Sequence, residues 1–214
     1  MPYLIYSTLT KKPFIDEKRR SYLFTEKQDA ESFVTDVPNT EPSELPELNW
    51  ESVFSVCFAA GAEILKERRG NNKEVTHSIR EEKLEKRFYN ADTNANVSRY
   101  LHTGNDEYLK GIKNCKMIVP IRIMNEPYTK IDYPIIYKHK SKKGDYAFLA
   151  FTDIEEYNKW TEKDNGWDPL LIDNTAMRRI GGKHGLMVNV YSARLFIPVD
   201  FLGKYIAPKE EYDE

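Results

Sequence analysis

"GDYAFLAFTDIEEYNKW", residues 144–160, passes from an apolar segment through Phe-Thr into a segment in which carboxylates and aromatics are interspersed. The apolar part predicts a β-strand, and Thr152-Asp153-Ile154-Glu155 fits a capping box, in which the threonine oxygen accepts a hydrogen bond from the third helical amide. Tyr157 and Trp160 then fall on one helical face. The stretch predicts a strand, a sharp corner and a short amphipathic helix.

The same unit occurs a second time, at residues 21–33, "SYLFTEKQDAESF". It repeats the Phe-Thr step, and Thr25-Glu26-Lys27-Gln28 fits another capping box. Ala30 and Phe33 take the places of Tyr157 and Trp160. We interpret the repeated unit as scaffold, because residues of this kind in this order turn the backbone from sheet into helix and need not contact a substrate.

Length, charge and cysteine content limit the classes of protein that the chain can represent. Its 214 residues suit one large domain or two small ones. Lysine plus arginine (32) nearly balance aspartate plus glutamate (34), so we expect neither nucleic acid nor a membrane as a partner. The amino terminus lacks the features of a secretory signal, and Cys57 and Cys115 lie outside metal-ligand spacing. These features favour the cytoplasm.

The pattern of apolar residues predicts an α+β fold with two related lobes, residues 1–107 and 108–214, each with a mixed β-sheet flanked by helices. In the first lobe we expect strands at 3–8 and 21–25, a polar linker at 39–49, a helix carrying an apolar stripe from 50 to 65, and a charged helix from 78 to 88. In the second we expect strands at 115–123, 132–139 and 145–152, a strand and helix within 168–182, and two closing strands.

Three segments of the second lobe resemble the amino-terminal domain of the SseB-like family, bacterial proteins named for a serine-sensitivity effect. They are "KMIVPIRI" (116–123), "YAFLAFTDIEEYNKW" (146–160) and "HGLMVNVYSARLFIPVDFL" (184–202). The resemblance covers roughly residues 108–205. It departs from the family pattern at Leu149, where the family often has proline, and at Val190, where proline is usual after the asparagine. It implies an α/β fold with a mixed sheet and brings no active site, and the first lobe would be a diverged second copy.

Residue types that carry catalysis or bind metals are scattered along the chain. The four histidines lie in separate regions, and no two have the spacing of a local metal site: His77, His102, His139 and His184. We interpret the acidic residues 153, 155 and 156 as a cap and solvated first turn of a helix, the glycines of 180–185 as a helix stop, and the basic residues 138–144 as a hairpin tip. We therefore expect no catalytic residues, no metal and no cofactor.

Aromatic residues are numerous enough that some must lie at the surface. Trp167, Tyr191 and Arg194 are of the types that anchor protein interfaces. We therefore expect a non-enzymatic cytoplasmic protein-interaction module that binds another protein through these residues, with a homodimer as one form of partner. The alternative is an enzyme that binds a small ligand or nucleotide in a cleft between the lobes. A third interpretation, an immunity or secretion-associated factor, is the first one with a specific client.

Overall fold

The computed structural model describes residues 1–70, 73–79, 90–112, 115–124, 130–132, 135–137, 146–161, 166–181, 184–198 and 201. These residues form twelve strands and six helices, and the predicted α+β class is confirmed. Within the described ranges, every helix is too short or too polar to cross a bilayer.

The first lobe is built on a five-stranded sheet in the order β3-β1-β2-β4-β5. Along the chain its elements are β1 (Tyr3–Ser7), β2 (Arg20–Phe24), α1 (Lys27–Asp36), β3 (Thr40–Glu44), α2 (Trp50–Ala60), β4 (Ile64–Arg69) and β5 (Lys73–Ser78). β2 and β4 are parallel, and the other neighbours are antiparallel. The edge strand β3 places Pro42 opposite Ile5 of β1.

The sheet of the first lobe is covered on both faces, as the alternation of side chains along β2 requires. Tyr22 and Phe24 point to one face and pack with Ala30 of α1. Leu23, between them, points to the other face and packs with Val53 of α2. The lobe therefore has two core clusters, one under each helix.

The second lobe contains a three-stranded sheet, β10-β6-β7, and a four-stranded sheet, β12-β11-β9-β8. Two helices precede it, and the elements are α3 (Ala91–Thr103), α4 (Asp106–Ile112), β6 (Met117–Met124), β7 (Lys130–Asp132), β8 (Ile135–Tyr137), β9 (Tyr146–Ala150), α5 (Ile154–Thr161), β10 (Asp168–Ile172), α6 (Asn174–Gly181), β11 (Gly185–Val188) and β12 (Leu195–Ile197). Ile118 and Phe151 join the two sheets through a pair of backbone hydrogen bonds of 2.9 and 2.8 Å. The boundary predicted between residues 107 and 108 lies within α4.

The two lobes share one topology. Apart from β7 and β8, which lie between β6 and β9, the second lobe has the order β6, β9, α5, β10, α6, β11 and β12, which matches β1, β2, α1, β3, α2, β4 and β5. The strands have equivalent neighbours, with the Ile118–Phe151 bridge in the place of the β1–β2 pairing. In each lobe the strand before the corner is parallel to the strand that follows the second helix. Phe24 pairs with Tyr3 as Phe151 pairs with Ile118. The two corners that are alike in sequence therefore occupy equivalent places in the fold.

Three of the predicted elements of the first lobe are wrong. The polar linker at 39–49 contains β3, because Thr40–Glu44 pairs along its whole length with β1, and this pairing outweighs a composition poor in strand formers. The helix predicted to residue 65 ends at Ala60, since Gly61 adopts the left-handed conformation and the next apolar residues belong to β4. Ser78, expected to open a helix, ends β5, and residues 80–89 lie outside the described ranges.

α3 lies between the lobes and contributes to the core of both. Ala95 packs in the first lobe beneath α2, and Val97 packs in the second. Gly61, at the end of α2, has φ of 97°, and a Cβ at this position would lie 2.4 Å from the carbonyl oxygen of Ala91 and 2.7 Å from the Cβ of Ala95. α2 and α3 can therefore approach this closely only with glycine at residue 61.

Replacing Gly61 by alanine is expected to lower the free energy of unfolding by about 3 kcal/mol, because left-handed backbone strain adds to a clash with α3. Gly104 is a matched control, since it also ends a helix with positive φ (68°) but faces open space. Gly104→Ala should cost only about 1 kcal/mol. Urea denaturation of both variants measures the difference, and equal losses would contradict the close contact between α2 and α3.

Candidate functional site

The corner of the second lobe is capped by Asp153, and the capping box predicted around Thr152 is wrong. The Glu156 N–H donates to Asp153 Oδ1 at 3.0 Å, and α5 begins at Ile154. Thr152 is instead held by Asn189, whose side-chain oxygen accepts the Thr152 N–H at 3.0 Å and whose amide donates to the threonine hydroxyl at 2.9 Å. The threonine still belongs to the end of the sheet, so the helix begins one residue later than predicted.

The corner of the first lobe differs in the same respect. Glu26 occupies the N-cap position of α1 and makes no capping hydrogen bond with its side chain. The Thr25 N–H donates to the Arg68 carbonyl at 3.0 Å, which ties the threonine to the parallel strand β4. The predicted capping box at residues 25–28 is therefore wrong as well.

Two of the three acids of the second corner are buried, although the sequence predicted a solvated turn, and Glu155 alone is exposed as predicted. Asp153 is 0% and Glu156 1% exposed. The reason is Lys12, which comes from the first lobe and is itself only 8% exposed. Its Nζ lies 2.9 Å from Asp153 Oδ2, 3.8 Å from Glu155 Oε2 and 3.9 Å from Glu156 Oε1. We call this arrangement of Lys12 with Asp153 and Glu156 the lysine corner.

Neutral side chains complete the hydrogen bonding of Asp153. Its Oδ2 accepts from Asn94 of α3 at 2.8 Å and from the Thr152 hydroxyl at 3.1 Å, in addition to Lys12. Asn94 also donates to the Ala59 carbonyl of α2 at 2.6 Å. Because a buried charge is tolerated only when it is paired and hydrogen-bonded, these contacts allow the ion pair to lie inside the protein.

Glu156 binds groups on both sides of the corner. Its Oε1 accepts from Lys159 at 2.7 Å, and its Oε2 accepts from the Ser192 hydroxyl at 2.5 Å. Ser192 lies in the turn between β11 and β12, so α5 is fastened to that turn. The lysine corner thus joins α2, α3, α5, the residues after β1 and the β11–β12 turn.

The ion pair shifts the pKa of both partners. Burial is the largest influence on Asp153 and would raise its pKa, but Lys12 and the hydrogen bonds outweigh it and hold the pKa below its usual value. Burial would likewise lower the pKa of Lys12, but Asp153 outweighs it and raises the pKa. Both groups are therefore charged at neutral pH.

A tight turn after β1 directs Lys12 into the second lobe. The Ser7 hydroxyl accepts the N–H groups of Leu9 and Thr10, each at 3.2 Å, and the Ser7 N–H donates to the Lys12 carbonyl at 2.9 Å. Lys11 has φ of 58°, which reverses the chain direction immediately before Lys12. The position of Lys12 thus follows from local backbone geometry.

A cavity of about 10 Å³ lies beside the lysine corner, lined by Thr10, Lys12, Pro13, Ala60, Asn94, Val97, Ser98 and Asn189. The hydroxyls of Thr10 and Ser98 are buried without a hydrogen-bond partner in the described part of the chain. A space of this size holds about one water molecule. This cavity therefore cannot hold a metabolite.

Ser7 and His102 have the geometry of a nucleophile and a base, with 2.9 Å between Oγ and Nε2. Burial lowers the pKa of His102, which favours the neutral imidazole. Ser7 is 0% exposed, however, and its oxygen already accepts two backbone N–H groups. We interpret the pair as an anchor for the turn after β1, because a substrate cannot reach Oγ.

Two further titratable groups, Cys57 and His77, lie in structural surroundings. Cys57 is fully buried, and burial raises the pKa of its thiol to about 12, so it is a core residue, as predicted. The His77 ring packs at a tilt against Trp50, with 4.8 Å between ring centroids, and its Nε2 lies 2.8 Å from Glu67 Oε2. Among the described residues, no three His, Cys, Asp or Glu side chains are close enough together to hold a metal ion.

The three predicted contact residues lie in two places. Trp167 is half-buried beside Trp160, with 6.1 Å between the two ring centroids. The Arg122 guanidinium lies 4.4 Å from the ring centroid of Trp167. Tyr191 and Arg194 are exposed in the β11–β12 turn that Ser192 fastens to α5. Trp167 thus packs against the α5 cluster, and the other two share one surface turn.

A larger depression lies in the first lobe, between α1 and the β4–β5 hairpin. We call it the α1 groove; its volume is about 400 Å³, and it is lined by Phe24, Asp29, Ser32, Phe33, Asp36, Arg68, Arg69 and Glu74. Four of these residues follow the i, i+3, i+4, i+7 spacing of a single face of α1. Six of the eight are exposed, and Phe24 and Phe33 form the apolar floor.

The walls of the α1 groove carry charged side chains of both signs. Asp29 and Asp36 lie on the helical wall. On the strand wall the Arg68 guanidinium lies 5.7 Å from the ring centroid of Phe24 and 5.8 Å from that of Phe33, and its Nε donates to Glu74 at 3.2 Å. The cation is therefore held against the aromatic floor.

Sequence reasoning missed the α1 groove because half of it lies in residues assigned to a different element. Arg68 and Arg69 were expected to follow the end of a helix, and the structure places them at the end of β4. The helical half carried a signal in the spacing of Asp29, Phe33 and Asp36. The sequence prediction used only Phe33 of these residues, as part of the apolar face of a short helix.

Comparison of the chain with protein-family models, curated proteins and solved structures found no match.

Lys12→Met is expected to lower the free energy of unfolding by about 3–5 kcal/mol, because Asp153 would stay buried without its cation. Lys11→Met is the matched control, since Lys11 is exposed and lies 3.8 Å from Glu41, which is also exposed. The control should cost less than about 1 kcal/mol. Chemical denaturation measures both values, and a small loss for Lys12→Met would contradict the role of the lysine corner.

The cost of Lys12→Met is also expected to depend on pH. The pKa of Asp153 is lower in the folded protein than in the unfolded chain, so its stabilising contribution is complete above the unfolded pKa, about 4, and is lost as pH falls through the folded pKa. The stability difference between wild type and Lys12→Met should therefore shrink as pH falls below about 4. The difference for Lys11→Met serves as the baseline, and a constant cost for Lys12→Met would count against the ion pair.

Proposed function

We propose that the chain is a non-enzymatic protein-interaction module that binds another protein at the α1 groove. The observation that carries this proposal is the groove itself, which combines about 400 Å³, an aromatic floor and exposed charged walls. Arginine and aromatic side chains are the residues that contribute most to protein interfaces. A protruding side chain of a partner would fill such a groove.

The chemistry of the groove supports a binding role over catalysis. Small-molecule sites are usually enclosed and largely apolar, with a few polar groups at fixed positions. Among the described residues that line the α1 groove, only Phe24 and Phe33 are apolar, and none is histidine, cysteine or lysine. The groove therefore has neither the apolar lining of a small-molecule site nor the residue types that most often carry catalysis.

The alternative from the sequence, an enzyme with a ligand between the lobes, receives less support. Lys12 occupies the place where the second corner faces the first lobe, and the cavity beside it has room for about one water molecule. A ligand of metabolite size would have to displace a buried ion pair. We therefore favour the interaction module.

We further propose that the second lobe is an SseB-like domain and that the first arose from it by duplication. The shared order of strands and helices and the equivalent corners support a duplication. The parallel pair β9 and β11 within an otherwise antiparallel sheet supports the family's mixed sheet. A cytoplasmic location is proposed with it, and the two free cysteines, Cys57 and Cys115, are in keeping with a reducing compartment.

The proposed function is tested by capturing partners from the source organism with the tagged full chain and with Ser32→Arg, which fills the α1 groove without removing a contact. Ser52→Arg makes the same substitution at an exposed position of α2 outside the groove and is the matched control. We expect Ser32→Arg to lose a specific partner that wild type and Ser52→Arg retain.

A third variant, Tyr191→Ala with Arg194→Ala, tests the surface turn that the sequence indicated. If this variant loses the partner and Ser32→Arg keeps it, the binding surface lies in the second lobe and the groove assignment is wrong. If all variants capture the same proteins as an unrelated control, the protein-binding function is wrong. A thermal shift with a metabolite in the Ser32→Arg background would favour the enzyme alternative.

A further inference from the structure

The charge of the α1 groove points to the chemistry of its partner. We propose that the groove binds a basic, extended segment of another protein, with two cationic side chains placed on Asp29 and Asp36. This inference rests on the proposed function and adds the class of ligand. Three independent observations support it: unpaired charge, an equivalent site elsewhere in the chain, and spacing.

The unpaired charge of the groove is negative. Asp29 and Asp36 are exposed, and in the described ranges neither makes an ion pair or a side-chain hydrogen bond. The arginines of the opposite wall already have carboxylate partners. Arg68 donates to Glu74, and Arg69 donates twice to Glu67, at 2.8 and 3.0 Å.

The partner carboxylates are themselves held in the ionised form. Hydrogen bonds from Lys66 and Arg68 lower the pKa of Glu74. The hydrogen bond from Arg69, followed by the contact with His77, lowers the pKa of Glu67. The strand wall is therefore internally neutralised, and a cation gains most on the helical wall.

The second corner shows how this architecture binds a lysine. Phe24-Thr25 corresponds to Phe151-Thr152, so Asp29 stands at the position of Glu156 and Glu26 at the position of Asp153. In the second lobe these positions bind Lys12, which arrives from the other lobe. In the first lobe, no described lysine pairs with either carboxylate. The first corner thus has the acids of a lysine corner and lacks the lysine.

The floor and the spacing of the acids define the ligand further. Asp29 and Asp36 are two helical turns apart, about 10 Å along the axis of α1. In a polyproline II segment, residues i and i+3 lie on one side and about 9 Å apart. The aliphatic stems of two such lysines would lie along Phe33, as long cationic side chains do on apolar surfaces. The expected motif is two basic residues separated by two others.

The test uses the full chain and three synthetic hexapeptides with a central leucine and proline, flanked by two lysines, two glutamines or two glutamates. Fluorescence polarisation at low ionic strength measures binding of each labelled peptide. We expect the lysine peptide to bind about tenfold more tightly than the glutamine peptide, with the glutamate peptide weakest, and the preference to fall in about 0.5 M salt.

The variant Asp29→Asn with Asp36→Asn should remove the preference for lysine. Glu17→Gln with Glu47→Gln is the matched control, because it changes the net charge equally at two exposed carboxylates outside the groove. The control should bind as wild type does. Near-ultraviolet circular dichroism establishes that both double variants are folded.

Four outcomes would overturn the inference. In the first, the glutamate peptide binds most tightly, and in the second, Asp29→Asn with Asp36→Asn binds the lysine peptide as tightly as wild type does. In the third, no peptide binds. In the fourth, the chain forms a dimer that the same double variant abolishes. None of the first three removes the proposed function, which is tested separately by whether Ser32→Arg loses the partner that wild type captures. The fourth would identify a second copy of the chain as the occupant of the groove.

Discussion

The contact between Lys12 and Asp153 is the constraint on which the arrangement of the two lobes depends. Each charge is buried, and each is acceptable inside the protein only because the other is present. Asn94 links the pair to α3, and α3 belongs to both cores. We interpret the ion pair as a determinant of how the lobes dock, since replacing a buried ion pair by apolar groups of similar volume is often neutral for stability.

Local patterns in the sequence were sufficient to predict the strand-corner-helix units and the α+β class. The apolar run around Phe148 and the spacing of Tyr157 and Trp160 depend on short-range geometry, and the structure confirms both elements. The burial of Asp153 could not be predicted in this way. It depends on Lys12, which is 141 residues away in the chain, and no local pattern reports a partner at that distance. β3 was missed for a similar reason, because its pairing with β1 is a tertiary contact.

The two corners place the acids of similar scaffolds in different surroundings. In the second lobe the acids of the corner bind a lysine of the same chain, and the site is closed. In the first lobe the corresponding region opens into the α1 groove, where Asp29 and Asp36 face solvent. If the lobes are copies, the difference lies in whether a neighbouring lobe supplies the cation. A structural contact within the chain and a binding site for another protein would then be variants of a single arrangement.

The edge strand β3 has a consequence for how other chains can approach the first lobe. The Ile5 carbonyl accepts the Phe14 N–H on the far side of β1, so Ile5 and Pro42 face each other as a non-hydrogen-bonded pair. The polar groups of residue 42 therefore point away from the sheet, where an ordinary residue would offer an amide to an incoming strand. Proline has no backbone N–H to donate. This edge is therefore a poor template for intermolecular β-pairing and for the fibrillar aggregation that begins with such pairing.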